Sequence, residues 1–76
     1  MELLNKKVLG IIQYDLGIIV NSLDEKIEFE SIQEVELVIS LEEEFEISIP
    51  DEDVDLFGTA NDIIKYVRGK CEEKSA

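Results

Sequence analysis

Apolar residues recur along this chain at the three- and four-residue intervals of a helix, with stretches between them that lack that spacing. Leu3, Leu4, Val8, Ile11, Ile12 and Leu16 lie on one stripe, with Lys6, Lys7 and Gln13 off it, which predicts a first helix over residues 3–15. Gly10 weakens that helix slightly. Gly17 ends it, because glycine takes the left-handed backbone conformation without penalty just past a helix, and Ile18 can then fold back onto the last turn. Residues 18–30 have no helical period. Ile27-Glu28-Phe29-Glu30 alternates as a strand does, but no second strand pattern exists to satisfy its backbone. The segment therefore reads as a long connection crossing the bundle, pinned to the core by some of Ile18, Val20, Leu23, Ile27 and Phe29.

The second helix is the most strongly patterned. Ser31-Ile32-Gln33-Glu34 matches a capping box, in which the serine oxygen and the Glu34 carboxylate satisfy backbone amides reciprocally, so the helix is placed from Ser31 to about Glu46. At about 100° per residue, Ile32, Val35, Leu37, Val38, Ile39, Leu41 and Phe45 cover an arc of roughly 220°, about twice what a surface helix needs. A small bundle cannot bury all of it, so one edge is expected to stay exposed with acids alongside. Beyond Pro50, Asp51-Glu52-Asp53 puts acids in the first turn of a short third helix, anchored by Val54 and Phe57 and stopped at Gly58. Thr59 caps a fourth helix, with Asp62 three residues on and Ile63, Ile64, Tyr66 and Val67 on its apolar side. Gly69 frays its end. The expected fold is all-α: a four-helix bundle with a short third helix and a long connection between helices 1 and 2. It forms one domain over residues 1–70, followed by a disordered tail over 71–76.

Charge sharpens this picture. Residues 28–55 hold 12 of the 19 acids and no Lys or Arg, and the remainder is neutral, so the whole net charge of −12 sits in that window. Such a balance repels phosphates and argues against nucleic acid, while favouring partners with basic patches. Seventy-six residues suffice for one small core. The single cysteine, Cys71, cannot form an internal disulfide, and in a polar stretch without any histidine it reads as an exposed free thiol. No signal-peptide pattern and no run approaching a membrane span is present, so a soluble cytoplasmic monomer without membrane insertion is expected.

Candidate chemistry narrows to one residue. Ser31 lacks a histidine or a nearby lysine to activate it as a nucleophile, and Glu42-Glu43-Glu44 reads as a solvated, partly partner-facing charge run rather than a general acid/base pair. Asp51, Asp53, Asp55 and Asp62 fall at positions 1, 3, 5 and 12 of a calcium-loop template, but Leu56 replaces the required glycine and Asp62 is too short for the last ligand. Only loose divalent binding is expected there. For Ser31 two readings remain. It is a helix cap and nothing more, in an acidic module that docks on a basic partner; or it anchors a phosphate ester, which a helix N-terminus favours through free amides and dipole.

At Glu30-Ser31-Ile32 the chain resembles the acyl carrier proteins, whose signature is Asp-Ser-Leu ahead of an acidic helix. Val35-Glu36-Leu37-Val38, Leu41-Glu42-Glu43-Glu44-Phe45 and Ile49-Pro50-Asp51-Glu52 resemble the family's second helix and the turn beyond it, and the similarity extends over Val8 to Gly17 and Thr59 to Val67. The resemblance implies a non-catalytic carrier whose Ser31 receives 4′-phosphopantetheine from coenzyme A, through a holo-carrier synthase that brings its own Mg²⁺. The arm's thiol would hold acyl groups as thioesters for acyl-transferring, condensing or acyl-activating enzymes with basic surface patches. By position, Glu30, Ile32, Val35, Glu36, Ile39 and Glu43 would form the docking face, and Leu37, Leu41, Phe45, Ile49, Ile64 and Val67 would line a cavity for the acyl chain. Glu30 stands where the family carries Asp, Ile32 where Leu is usual, and the connection before them is shorter and lacks the usual glycine. A dedicated carrier for a secondary or modified lipid is thus implied at least as strongly as one for bulk fatty-acid synthesis.

Overall fold

In the computed structural model, which describes residues 3–75, the first stripe folds as α1 (Leu3–Gly10) running into a π-helical turn (Ile11–Asp15). The wide turn closes with Leu16 N–H donating to Ile11 O at 3.1 Å, and Val8, Ile11, Ile12 and Leu16 are all buried. Gly17 has φ 70°, and Ile18 N–H reaches back to Ile12 O at 3.1 Å, so the chain folds over the helix end as the glycine predicts. Leu3, although on the stripe, is exposed.

Residues 18–30 form the long connection. Ile18, Val20, Ile27 and Phe29 pack half-buried against the core, whereas Leu23 lies at the surface. The alternating stretch does find a partner. Ile27 N–H donates to Gly58 O at 2.8 Å and Asn61 N–H to Leu23 O at 2.9 Å, flanking an isolated antiparallel bridge between Lys26 and Thr59. That partner is the turn ahead of the last helix, which has no strand period of its own, so periodicity is blind to the pairing.

The other helices follow in the expected order: α2 (Ser31–Phe45), a 3₁₀ helix (Asp51–Leu56) and α3 (Ala60–Ser75). Glu46 closes α2 in the left-handed conformation at φ 55°. Asp62 N–H donates to Thr59 Oγ1 at 3.0 Å and Thr59 N–H to Asp62 Oδ2 at 3.1 Å, a reciprocal box that starts α3. The protein is all-α, with no strand among the described residues. Gly69 does not end α3. The helix continues to Ser75, and Lys74 Nζ reaches Phe45 O at 3.2 Å and Glu46 Oε1 at 3.4 Å, tying the stretch expected as a disordered tail to the end of α2. Of that stretch, Ala76 lies outside the described residues. Cys71 is half-buried against the core rather than at the surface, because the continued helix turns it inward.

One apolar core joins the helices. Val8, Ile12, Leu37, Leu41, Ile63, Ile64 and Val67 are fully buried, each contributing about 1.5–3 kcal/mol by leaving water. Ile49 and Phe57 close it from the loop after α2 and the end of the 3₁₀ helix. Asn5, the buried polar side chain of α1, accepts a hydrogen bond from Arg68 Nη2 at 3.0 Å, so its amide is not stranded. This core fixes which edge of α2 is left facing solvent.

Candidate functional site

Ser31 is the first residue of α2 and is exposed. It is not the cap. Glu30 holds the extended conformation at φ −73° and ψ 158°, and Glu34 N–H donates to Glu30 O at 2.9 Å. The Gln33 side-chain oxygen accepts from Glu30 N–H at 2.9 Å. Gln33, not Glu34, therefore reaches back, and the box sits one residue upstream of the Ser31–Glu34 pairing expected from sequence. The chain enters helical geometry between residues 30 and 31, so Ser31 is already inside the first turn. Among the described residues none hydrogen-bonds the Ser31 hydroxyl. It stands free at the positive end of α2.

This environment suits a phosphate ester. An exposed hydroxyl is accessible, and the first-turn amides and the helix dipole favour an anion beside it. Glu30 and Glu34 oppose that anion, but both are exposed, so water and salt screen the repulsion.

The six residues expected to dock partners are all exposed. Glu30, Glu36 and Glu43 are exposed, and between them Ile32, Val35 and Ile39 keep 68%, 57% and 49% of their surface in solvent. The overwide apolar arc of α2 is thus divided: Leu37 and Leu41 fill the core while its other edge stays bare. Glu44 pairs with Lys7 at 2.9 Å, and Glu42 turns away from solvent to accept Ile49 N–H at 2.8 Å. The run Glu42-Glu43-Glu44 is therefore not uniformly solvated. Glu42 holds the loop that follows its own helix.

Of the six residues expected to line an acyl cavity, Leu37, Leu41, Ile49, Ile64 and Val67 are buried in the core and Phe45 is half-buried against it. A groove of about 290 Å³ lies beside them, between α2 and the 3₁₀ helix, and is lined by Glu34, Val35, Val38, Ile39, Asp51, Val54 and Asp55. None of the six lines it. Its apolar floor and acidic rim were missed in the sequence because Val54, Asp51 and Asp55 come from a helix too short to show a period. Behind the 3₁₀ helix, the Tyr66 hydroxyl donates to Asp53 Oδ2. Burial first, then the Asp53 carboxylate, push the Tyr66 phenol well above its ordinary range. The four aspartates of the calcium template are engaged separately where their contacts are defined: Asp53 by Tyr66 and Asp62 in the α3 cap. Among the described residues no group of three or more acids, His or Cys is gathered as a metal site, and no helix is long and apolar enough to cross a membrane.

Comparison with known proteins agrees with this geometry. The family profile of the phosphopantetheine attachment site matches residues 6–67. This chain belongs to the acyl carrier protein family. The acyl carrier protein of Clostridium acetobutylicum is 34% identical over 74 residues, which span 90% of this chain and 96% of that protein. Acyl carrier proteins of two Clostridium perfringens strains, SM101 and 13, are 43% identical over 44 residues, or 58% of each partner. As a family member the chain is an acyl carrier with 4′-phosphopantetheine as its prosthetic group. The family is one of carriers, and its members work with synthases and acyl-handling enzymes. The reading as a non-carrier acidic module is not favoured.

Proposed function

We propose that Ser31 is the attachment point of the arm, and that the bare edge of α2 presents the loaded carrier to its enzymes. The observation that carries this is the Ser31 hydroxyl, exposed and unengaged among the described residues at the head of α2 while Glu30 and Gln33 do the capping. When bound, the group supplies a thiol on which acyl groups ride as thioesters. Ser31 Oγ holds its phosphate, and the first-turn amides of α2 complement the charge. Glu30, Glu36 and Glu43 attract basic surfaces of a holo-carrier synthase and of acyl-transferring, condensing or acyl-activating enzymes, mainly by raising encounter rates. Ile32, Val35 and Ile39 add the apolar contact that such ion pairs alone do not supply. Leu37, Leu41, Phe45, Ile49, Ile64 and Val67 form the interior against which an acyl chain longer than the groove would insert.

The chain catalyses nothing itself on this reading, since the sequence has no histidine to act as a base and Ser31 has no activating partner among the described residues. It works as a cytoplasmic monomer, its strongly negative charge of −12 opposing self-association. The test is incubation with coenzyme A and a broad-specificity holo-carrier synthase, followed by intact mass. The wild-type chain should gain one arm and Ser31→Ala none. An unchanged wild-type mass with several synthases refutes the proposal.

A further inference from the structure

The 3₁₀ helix is the least secured element of the fold. None of residues 51–56 is fully buried, and the bonds that tie its two ends are Asp53 N–H to Pro50 O at 3.0 Å and Phe57 N–H to Val54 O at 3.1 Å. Yet this helix is one wall of the groove beside α2, contributing Asp51, Val54 and Asp55 opposite Glu34, Val35, Val38 and Ile39. The carboxylates of Glu34, Asp51 and Asp55 rim that groove with no Lys or Arg among its lining residues, but all three are exposed and screened, so the place of the outer wall is set by its own contacts. Half-buried Val54 supplies packing, and Tyr66 of α3 supplies a directional tie, its hydroxyl donating to Asp53 behind the wall. The Tyr66 ring is itself fixed, edge-on to Phe57 at 5.2 Å between centroids and beneath Lys70 Nζ at 5.6 Å. A ring clamped by two neighbours aims its hydroxyl at one place.

We infer that Tyr66 is a positioning residue for the carried group: through Asp53 it sets the outer wall of the groove between α2 and the 3₁₀ helix, and so determines how firmly a thioester-borne acyl group is seated there. This rests on the carrier role proposed for Ser31 only in its second half; the anchoring of the wall stands on the contacts alone. Tyr66→Phe removes the tie and keeps the ring between Phe57 and Lys70. Asp53→Ala removes it from the other side, while Asp53→Asn keeps an oxygen that can accept from the hydroxyl.

The experiment has two arms on the full chain. In the first, amide hydrogen exchange is compared among the variants. Loss of one partly buried hydrogen bond to a charged acceptor should speed exchange at Asp53 and Phe57 by about tenfold in Tyr66→Phe and Asp53→Ala. Exchange at Leu41 and Val67 should change by less than about twofold, and Asp53→Asn should resemble wild type. In the second, the holo-protein is loaded with a short acyl group, and spontaneous thioester hydrolysis should be about threefold faster in Tyr66→Phe as the seated fraction falls. Uniformly faster exchange, or none, overturns the anchoring. Locally faster exchange with an unchanged thioester lifetime overturns the positioning role. If wild type cannot be loaded at Ser31, the carrier assignment of that serine fails and with it the seating role, while the exchange arm still decides whether Tyr66 holds the wall.

Discussion

Replacing Ser31 by alanine should leave the stability of the fold almost untouched, which is not what a helix-capping serine would do. Loss of a serine cap costs about 0.5–2 kcal/mol, typically near 1. Here the hydroxyl has no partner among the described residues, and the Glu30 amide is satisfied by Gln33 Oε1 at 2.9 Å. Nothing is stranded when the oxygen is removed. Alanine is also the better helix former by about 0.5 kcal/mol, an advantage reduced in the first turn, so the net change should lie within about ±0.5 kcal/mol. Gln33→Ala, by contrast, leaves the Glu30 amide without its helical partner and should cost about 1 kcal/mol. In a domain of this size that difference moves the thermal midpoint by about 4–8 °C, well within the reach of circular dichroism followed through melting or urea unfolding. If Ser31→Ala loses about 1 kcal/mol or more while Gln33→Ala loses nothing, the capping register and the freedom of the hydroxyl are both wrong. The agreement predicted here has a practical use: a folded Ser31→Ala protein that cannot be loaded has lost its anchor, not its fold.

Other perturbations divide along the same lines. Leu41→Ala, at a fully buried position, should cost about 2–5 kcal/mol in urea unfolding, whereas Ile39→Ala on the same helix, half in solvent, should cost under about 1 kcal/mol; equal costs would mean the two edges of α2 are not distinguished as described. Glu42→Ala strands the Ile49 amide and should cost about 1–2 kcal/mol, with faster exchange at Ile49, while Glu43→Ala should be near neutral. Because Tyr66 is raised by burial, by Asp53 and more weakly by Glu73 and Glu42, the folded chain binds that proton more tightly than the unfolded one. The resulting stability is fully present below about pH 10 and is lost as pH rises toward the folded value, so wild type should lose stability faster than Tyr66→Phe above that point, and parallel curves would refute it.

What could be read from the sequence follows from the range of each signal. Helical period and glycine conformation are local, so the stripe of α1, the stop at Gly17 and the Thr59–Asp62 start of α3 are as the residues imply. The division of α2 into a buried and a bare edge was legible too, since Leu37 and Val35 fall on different parts of an arc too wide to bury. The signals fail where a neighbour distant in sequence decides. Two adjacent residues, Ser31 and Glu30, can both begin a capping pattern, and only the approach angle of the chain selects Glu30 with Gln33. The end of α3 is held by Lys74 reaching Phe45 and Glu46, a contact across 29 and 28 residues that overrides the fraying expected at Gly69. The groove and the Tyr66–Asp53 tie belong to the same class, because they pair elements whose separate patterns say nothing about each other.

Fragment mapping of the loaded protein asks most directly whether Ser31 carries the arm. The chain also contains Ser22, Ser40, Ser48, Ser75 and Thr59, so a gain in total mass alone does not name the residue. Tandem mass spectrometry of the holo-protein should place the phosphopantetheine on the fragment bearing Ser31 and on no other. An arm found at another hydroxyl, with Ser31 unmodified, would contradict it.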